Sequence, residues 1–550
     1  MRIRNAAIGF ALLALASLAG AHDMSTMSPV AAATPPLYHL GEWTHAVTTS
    51  SPQAQRYFDQ GLRLSYAFNH EEASKAFREA VRLDSTCAMA WWGIALVAGP
   101  HINWPMMDSA HVATAMAALA AARRQGSHAS AAERDYIEAL GCRYVADPNA
   151  PRAPLDSAYA NAMRGLAHAH PDDADAQVLF AESMLDLSPW NQWSADGTAL
   201  PGTDEIIATL EKALARWPNH PGANHFYVHA MEASEHPEKA LPAARRLETL
   251  VPDAGHLVHM PSHIYARTSQ FEDARRVNEH AVDVDDHYIA DRHPEGLYPM
   301  MYASHNVHFV WFASCMEGRS AEALSAAQEL KKRVPDEMAR QMNMLEFWPA
   351  VQSFTYVRFG RWPEALKAPE PAADLRFERY AWHYARGMAA AHTGQAAMAR
   401  AELDSVTLIA QQLPEDFTIS INPARPVARI GIHVLAGTIA ACEKKHADAI
   451  TELRAAVACQ DSLHYDEPPT WYEPPRQALG PELLTAGQAR EAEQVFRDDL
   501  KRHPGNGWSL LGLQRALAAQ GRASEAAAAE RDFKRAWAHA DITAEVAAKL

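Results

Sequence analysis

At 550 residues the chain is too long for one ordinary compact core, so either several domains or an elongated array of repeats is expected. A formal charge of −16 argues against non-specific binding to DNA or to anionic membranes, and no nucleic-acid partner is expected. Five cysteines (Cys87, Cys142, Cys315, Cys442 and Cys459), with no C-x-x-C pair among them, exclude a dense disulfide framework and are expected as buried free thiols.

The chain opens as a signal peptide does. Arg2 and Arg4 precede an apolar run from Ala6 to Leu18, and Ala19-Gly20-Ala21 offers the small-residue arrangement a signal peptidase accepts. Cleavage after Ala21 would leave a mature chain of charge −18 in the periplasm or outside the cell. No later segment approaches about 20 apolar residues, so no transmembrane span is expected in the mature chain. Residues 22–51 read as a largely irregular leader. Helix pairs are then expected over 52–83, 87–123, 131–168 and 173–217, and from 222 to about 537. They group into an N-terminal set (52–217), a central set (218–340) and a C-terminal set (341–550). Two insertions interrupt the pairs: a Trp-, Pro- and Gly-bearing loop near 188–202, and a Pro-rich run near 461–475.

A repeat emerges from the turns. Gly318-Arg319-Ser320-Ala321-Glu322-Ala323 recurs in outline at Gly360 to Ala365, Gly487 to Ala492 and Gly521 to Ala526, and Gly394 with Ala399 keeps the same offset. Gly360 to Gly394 and Gly487 to Gly521 are both 34 residues apart, the period of a helix–turn–helix unit that must stack on its neighbours to bury its apolar face. Gly61, Ala73, Phe77 and Ala80 supply small, small, aromatic and small positions, as Gly480, Ala492, Phe496 and Pro504 largely do. In these positions the chain resembles tetratricopeptide (TPR) proteins. The segments around Gly61 to Ala73, Asn224 to Ala230 and Gly255 to His263 further resemble a group of exported bacterial members without an agreed activity. The resemblance implies an all-α fold, an α-solenoid of antiparallel helix pairs, and leaves the chemistry to be argued from the site.

Histidine carries that chemistry. Of 28 histidines, eleven fall between His225 and His308. Measured from the small residues that open successive second helices (Ala240, Ala274 and Ala323), His225, His259 and His308 share one offset, His229 and His263 a second, and Glu232 lies one turn beyond. In TPR proteins these offsets line the concave groove. His225, His229 and Glu232 share a helix face, as do His259 with His263 and His305 with His308. Helices packed about 8–10 Å apart let inward imidazoles meet on one ion. The expected ligands are therefore His225, His229, Glu232, His259, His263, His305 and His308, for one or two transition-metal ions, with Glu232 as ligand or proton acceptor. Copper is favoured over zinc or iron, because the set is rich in nitrogen and poor in carboxylate. Glu182 and Asp186 are candidates for fixing imidazole tautomers, and Tyr465, Glu467 and Trp471 of the Pro-rich run for the substrate side. His256, His280, His287 and His293 are expected in loops or on outer faces, His70 and His101 near turns, and Trp471 and Tyr472 in an exposed or folded-back loop.

Three functions fit this pattern: a metal-binding solenoid acting as an oxygen-using or hydrolytic enzyme on a small molecule, a non-catalytic scaffold holding a peptide or an envelope protein in its groove, and a metal store or carrier. The chain has no G-x-S-x-G elbow, phosphate-cradling glycine loop or H-E-x-x-H.

Overall fold

The structure is a computed structural model describing residues 35–547, apart from 195–196, 295 and 297. The signal-peptide expectation, on residues 1–21, lies outside the described residues. Residues 35–51 run extended and without helix over the first pairs. From Pro52 onward helices alternate in antiparallel pairs, beginning with Pro52–Ser65 and His70–Leu83. The only strands among the described residues are the two-residue hairpin Thr418–Ile419 and Asn422–Pro423. None of the described helices is long and apolar enough to cross a membrane.

Local chemistry sets the pairs. Ser51 caps the first helix by accepting from the Ala54 amide, and Pro52 fits the first helical position because its missing N–H is not needed there. The Phe77 ring then wedges between successive first helices: a Cβ added at Gly61 would come within 2.7 Å of it and one at Gly93 within 2.5 Å. Phe496 plays the same part between Gly480 and Gly512. Each aromatic fills the space that two missing side chains leave, and close interhelical packing follows. One apolar core runs from Leu40 to Ala547, with a smaller one among the last pairs.

The turn between the two helices of a pair requires a left-handed residue. Gly318 (φ +72°) and Gly360 (φ +61°) supply it, each five residues before the alanine that opens the packing of the second helix. Three pairs place a side chain there instead: Phe68 (φ +55°), Ser269 (φ +68°) and Lys444 (φ +61°), five residues before Ala73, Ala274 and Ala449.

The array curls back on itself. The Trp508 indole donates to the Cys315 carbonyl (2.9 Å), and the Asp541 carboxylate accepts from the amides of Ser320 (2.7 Å) and Ala321 (2.8 Å) at the start of a helix over 200 residues earlier. The Pro-rich run folds inward. Trp471 and Tyr472 are buried against Phe354 and Tyr384, on the first helices of successive pairs, so this segment is core rather than an exposed loop. All five cysteines are unbridged; Cys87 and Cys315 are buried, whereas Cys142 and Cys442 are exposed, contrary to the expectation of uniform burial.

Candidate metal centre

Three consecutive first helices build the site. Pro221–Met231 carries His225 and His229 and ends at Glu232. The next is broken by Pro261 into Gly255–His259 and Pro261–Arg267, which carry His256, His259 and His263. Ala303–Glu317 carries His305 and His308. Their side chains form two trios, His225 with His229 and His256, and His259 with His263 and His305; within each, one ligand atom per residue lies within 4.8 Å of the others. The trios adjoin, with ring centroids 5.8 Å apart between His256 and His259 and 6.0 Å between His229 and His263.

The outer nitrogens are tied down. His225 Nδ1 donates to the Tyr66 carbonyl at 2.7 Å, and His259 Nδ1 to Asn278 Oδ1 at 2.6 Å. Asn278 is oriented by its own amide donating to the Ala274 carbonyl. Glu232 serves one ring of each trio: His229 Nδ1 lies 2.8 Å from Oε1 and His263 Nδ1 2.5 Å from Oε2. A nitrogen that close to a carbonyl or carboxylate oxygen must bear the proton, so in the neutral rings Nε2 is a lone pair.

The Nε2 atoms converge. His259 Nε2 and His263 Nε2 are 2.9 Å apart, and His225 Nε2 and His256 Nε2 3.1 Å. The buried His229 Nε2 and His256 Nδ1 have no partner. His256, with no acceptor at Nδ1, carries its proton on Nε2 and donates to His225, so that pair is satisfied as it stands; His259 and His263 both have Nδ1 engaged, and their facing lone pairs call for a positive centre between them, a proton or a metal. Two nitrogens at cis positions on an ion with bonds of about 2.0–2.1 Å are about 2.9–3.4 Å apart, which matches both separations. Burial, with the neighbouring imidazoles, holds His225, His256, His259 and His305 well below the usual histidine range, the neutral form that metals bind. His263 is the exception. Burial lowers it, but the Glu232 charge outweighs burial and raises it; burial in turn opposes the ionised Glu232, which His263 and His229 nevertheless hold down at about 2.

Several sequence-based expectations are revised. Glu232, expected as ligand or proton acceptor, orients rings through their Nδ1 atoms. His308 turns away from both trios: its ring stacks on Trp311 at 5.4 Å and meets Phe347, and its Nε2 is unpartnered. His256, expected outside, is buried in the first trio; its i, i+3, i+7 relation to His259 and His263 was visible in the sequence, but the residue was not counted from the repeat ruler. Glu182 and Asp186 hold no imidazole. Asp186 Oδ2 pairs with buried Arg143 Nη2 at 2.5 Å, and Glu182 lines a small separate cavity with Arg143, His70 and Phe68. Trp471 is core. Tyr465 and Glu467 lie near the site, bonded to each other, and the Glu467 carboxylate adds to the charge that raises His263.

Aromatic rings wall the first trio. The Phe68 ring lies 4.7 Å from that of His225, 5.4 Å from His256 and 6.1 Å from His229. Trp190, from the first insertion, meets His229 at 5.1 Å, and Tyr302 meets His256 at 4.7 Å. His101, expected near a turn, stacks on the Phe68 ring at 4.6 Å. A third cluster of possible ligands, His45 with Asp173 and Asp175, is already satisfied: Asp175 accepts from Tyr66 (2.6 Å), His45 (2.8 Å), His220 (3.1 Å) and Trp43 (3.2 Å). It anchors Tyr66, whose carbonyl holds His225.

Helix pairs, left-handed turns and interleaved aromatics define a TPR-like α-solenoid. No protein-family model matches the chain, and no curated protein matches it. Among solved structures it is similar to a human IFIT1 dimer with m7Gppp-AAAA, at 13% identity over 89% of this chain and 91% of that one, with a TM-score of 0.33. It is also similar to the APC/C hetero-tetramer Cut9-Hcn1, at 11% identity over 84% and 76%, with a TM-score of 0.31. Neither similarity bears on the histidine site.

Proposed function

We propose that this chain is a metal-binding TPR-like protein in which each histidine trio holds one transition-metal ion. The observation that carries the reading is the convergence of six imidazoles into two trios, with His259 and His263, whose Nδ1 atoms are engaged elsewhere, facing each other at an Nε2–Nε2 separation of 2.9 Å. Copper is favoured over zinc or iron, since all six donors are imidazole nitrogens and the carboxylate nearest them faces their outer edges. Three protein ligands per ion is the open arrangement of catalytic sites rather than the closed one of structural sites, which supports oxygen-using or hydrolytic chemistry on a small molecule. When bound, the ions would supply Lewis-acid or redox chemistry; the chain's own residues hold neutral imidazoles, fix their tautomers through Glu232, Asn278 and Tyr66, and exclude water from the first trio with Phe68. An exported location after cleavage following Ala21 belongs to the same reading, supported by the leader sequence.

A scaffold holding a peptide or an envelope protein fits less well. Five of the six rings are buried, and Trp471 and Tyr472 already pack on the inner helices where such a ligand would lie. Elemental analysis of purified protein, before and after reconstitution with copper or zinc, tests the proposal. Two ions per chain are expected, and a value well below one after reconstitution overturns it.

A further inference from the structure

The two trios are closed differently. In the first, His225, His229 and His256 are all buried, and Phe68, Trp190 and Tyr302 wall them in. In the second, His259 and His263 are buried but His305 is only half-buried, the least buried residue of the six. Phe309 touches all three of its rings, at 4.9, 4.8 and 5.2 Å, from one side. What flanks this trio otherwise is polar. Tyr465 and Glu467 lie near it, and Arg267, four residues after His263, sits over the Tyr465 ring at 5.4 Å with its buried Nε unpartnered.

Three imidazoles leave a four-coordinate ion one ligand short. At the first trio all three histidines are buried, with the rings of Phe68, Trp190 and Tyr302 standing against them, which keeps solvent from an open position. At the second, the half-buried His305 leaves solvent within reach, and it is the ion's own positive charge that draws an anion in, against the nearby carboxylates of Glu232 and Glu467. We infer that the second trio carries an open coordination position that takes a small monodentate anion, with hydroxide the resident ligand in water, and that the first trio is sealed. Exchange at this position is simple substitution: the incoming anion donates a lone pair, the bound water or hydroxide leaves, and no electron is transferred. The inference rests on the metal reading above and names which ion is reactive and what it accepts.

Azide is a suitable probe, being a small anion whose bond to copper(II) gives a charge-transfer absorption. Protein loaded to two copper(II) ions per chain is titrated with azide while absorption and electron paramagnetic resonance are followed. A single saturable band at one azide per chain is expected. His305→Gln should retain the ion of the first trio and lose the band; His225→Gln should lose that ion and keep the band. Phe68→Gly, which suits the positive φ and removes the wall, should raise the stoichiometry toward two azides per chain, with circular dichroism confirming that each variant is folded. Two bound ions with no band overturn the inference and leave the metal reading standing. A band lost in both histidine variants, or kept in His305→Gln and lost in His225→Gln, also overturns it. Absence of metal overturns both.

Discussion

Glu232 is the residue on which the two halves of the site depend, since its carboxylate touches one ring of each trio on the side away from the lone pairs. Carboxylates in that position fix the tautomer and raise the ring's basicity, and losing one typically costs 10–100-fold in metal affinity. Glu232→Gln should therefore weaken binding of both ions by about that factor in competition with a chromogenic chelator; an effect confined to one ion would show that the carboxylate is not shared. The Asp175 network behind the first trio is legible through pH. Burial opposes a charged His45, but Asp175 outweighs it and raises the ring to about 9, against an ordinary 6.5. Stabilisation from this pair is thus complete below about pH 6.5 and fades as pH rises through about 9. Thermal melts at pH 6 and pH 9 should show a larger loss for wild type than for His45→Gln. Sequence periodicity located five of the six trio histidines because imidazoles on one helix face announce themselves. It could not show which ring edge a carboxylate would meet, so Glu232 looked like a ligand, nor that the 60° between His305 and His308 would carry the latter onto Trp311.

At the scale of helices and turns, the repeat was readable wherever glycine marks the left-handed turn, as at Gly318 and Gly360. It was blurred where Phe68, Ser269 and Lys444 stand in its place, because no sequence rule places an aromatic or a lysine at positive φ. The same turn position makes opposite predictions in two repeats. Lys444 is exposed and makes no ion pair, so Lys444→Gly should relieve backbone strain and raise stability by about 0.5–1 kcal/mol, read as a small increase in Tm. Phe68 is buried against five histidine rings, so Phe68→Gly should cost about 2–4 kcal/mol despite the same relief. Strain kept at Phe68 when glycine would serve the turn is consistent with a wall whose position matters to the site. The insertions were visible as breaks in the repeat, but their destinations depend on contacts far along the chain: Trp190 against His229, and Trp471 against Phe354 and Tyr384.

Over the whole molecule, the solenoid acts as a frame that brings three successive inner helices into one dry centre. The stacking period aligns the histidines, Pro261 breaks the middle helix so that it presents three of them, and the inward loop and the returning C-terminal helices occupy space that an open groove would leave to a peptide. The TPR fold itself was legible from period and turn chemistry; the closure of the array was not, because contacts such as Asp541 with Ser320 have no local signature. The central claim is that six imidazoles, in two sets of three, hold two ions. Anomalous diffraction at the metal edge from crystals of the copper-reconstituted protein tests it most directly. The account predicts two peaks per chain, one within about 2.0–2.1 Å of the Nε2 atoms of His225, His229 and His256 and the other likewise among His259, His263 and His305. Peaks at other residues, or none in a fully reconstituted crystal, would contradict it.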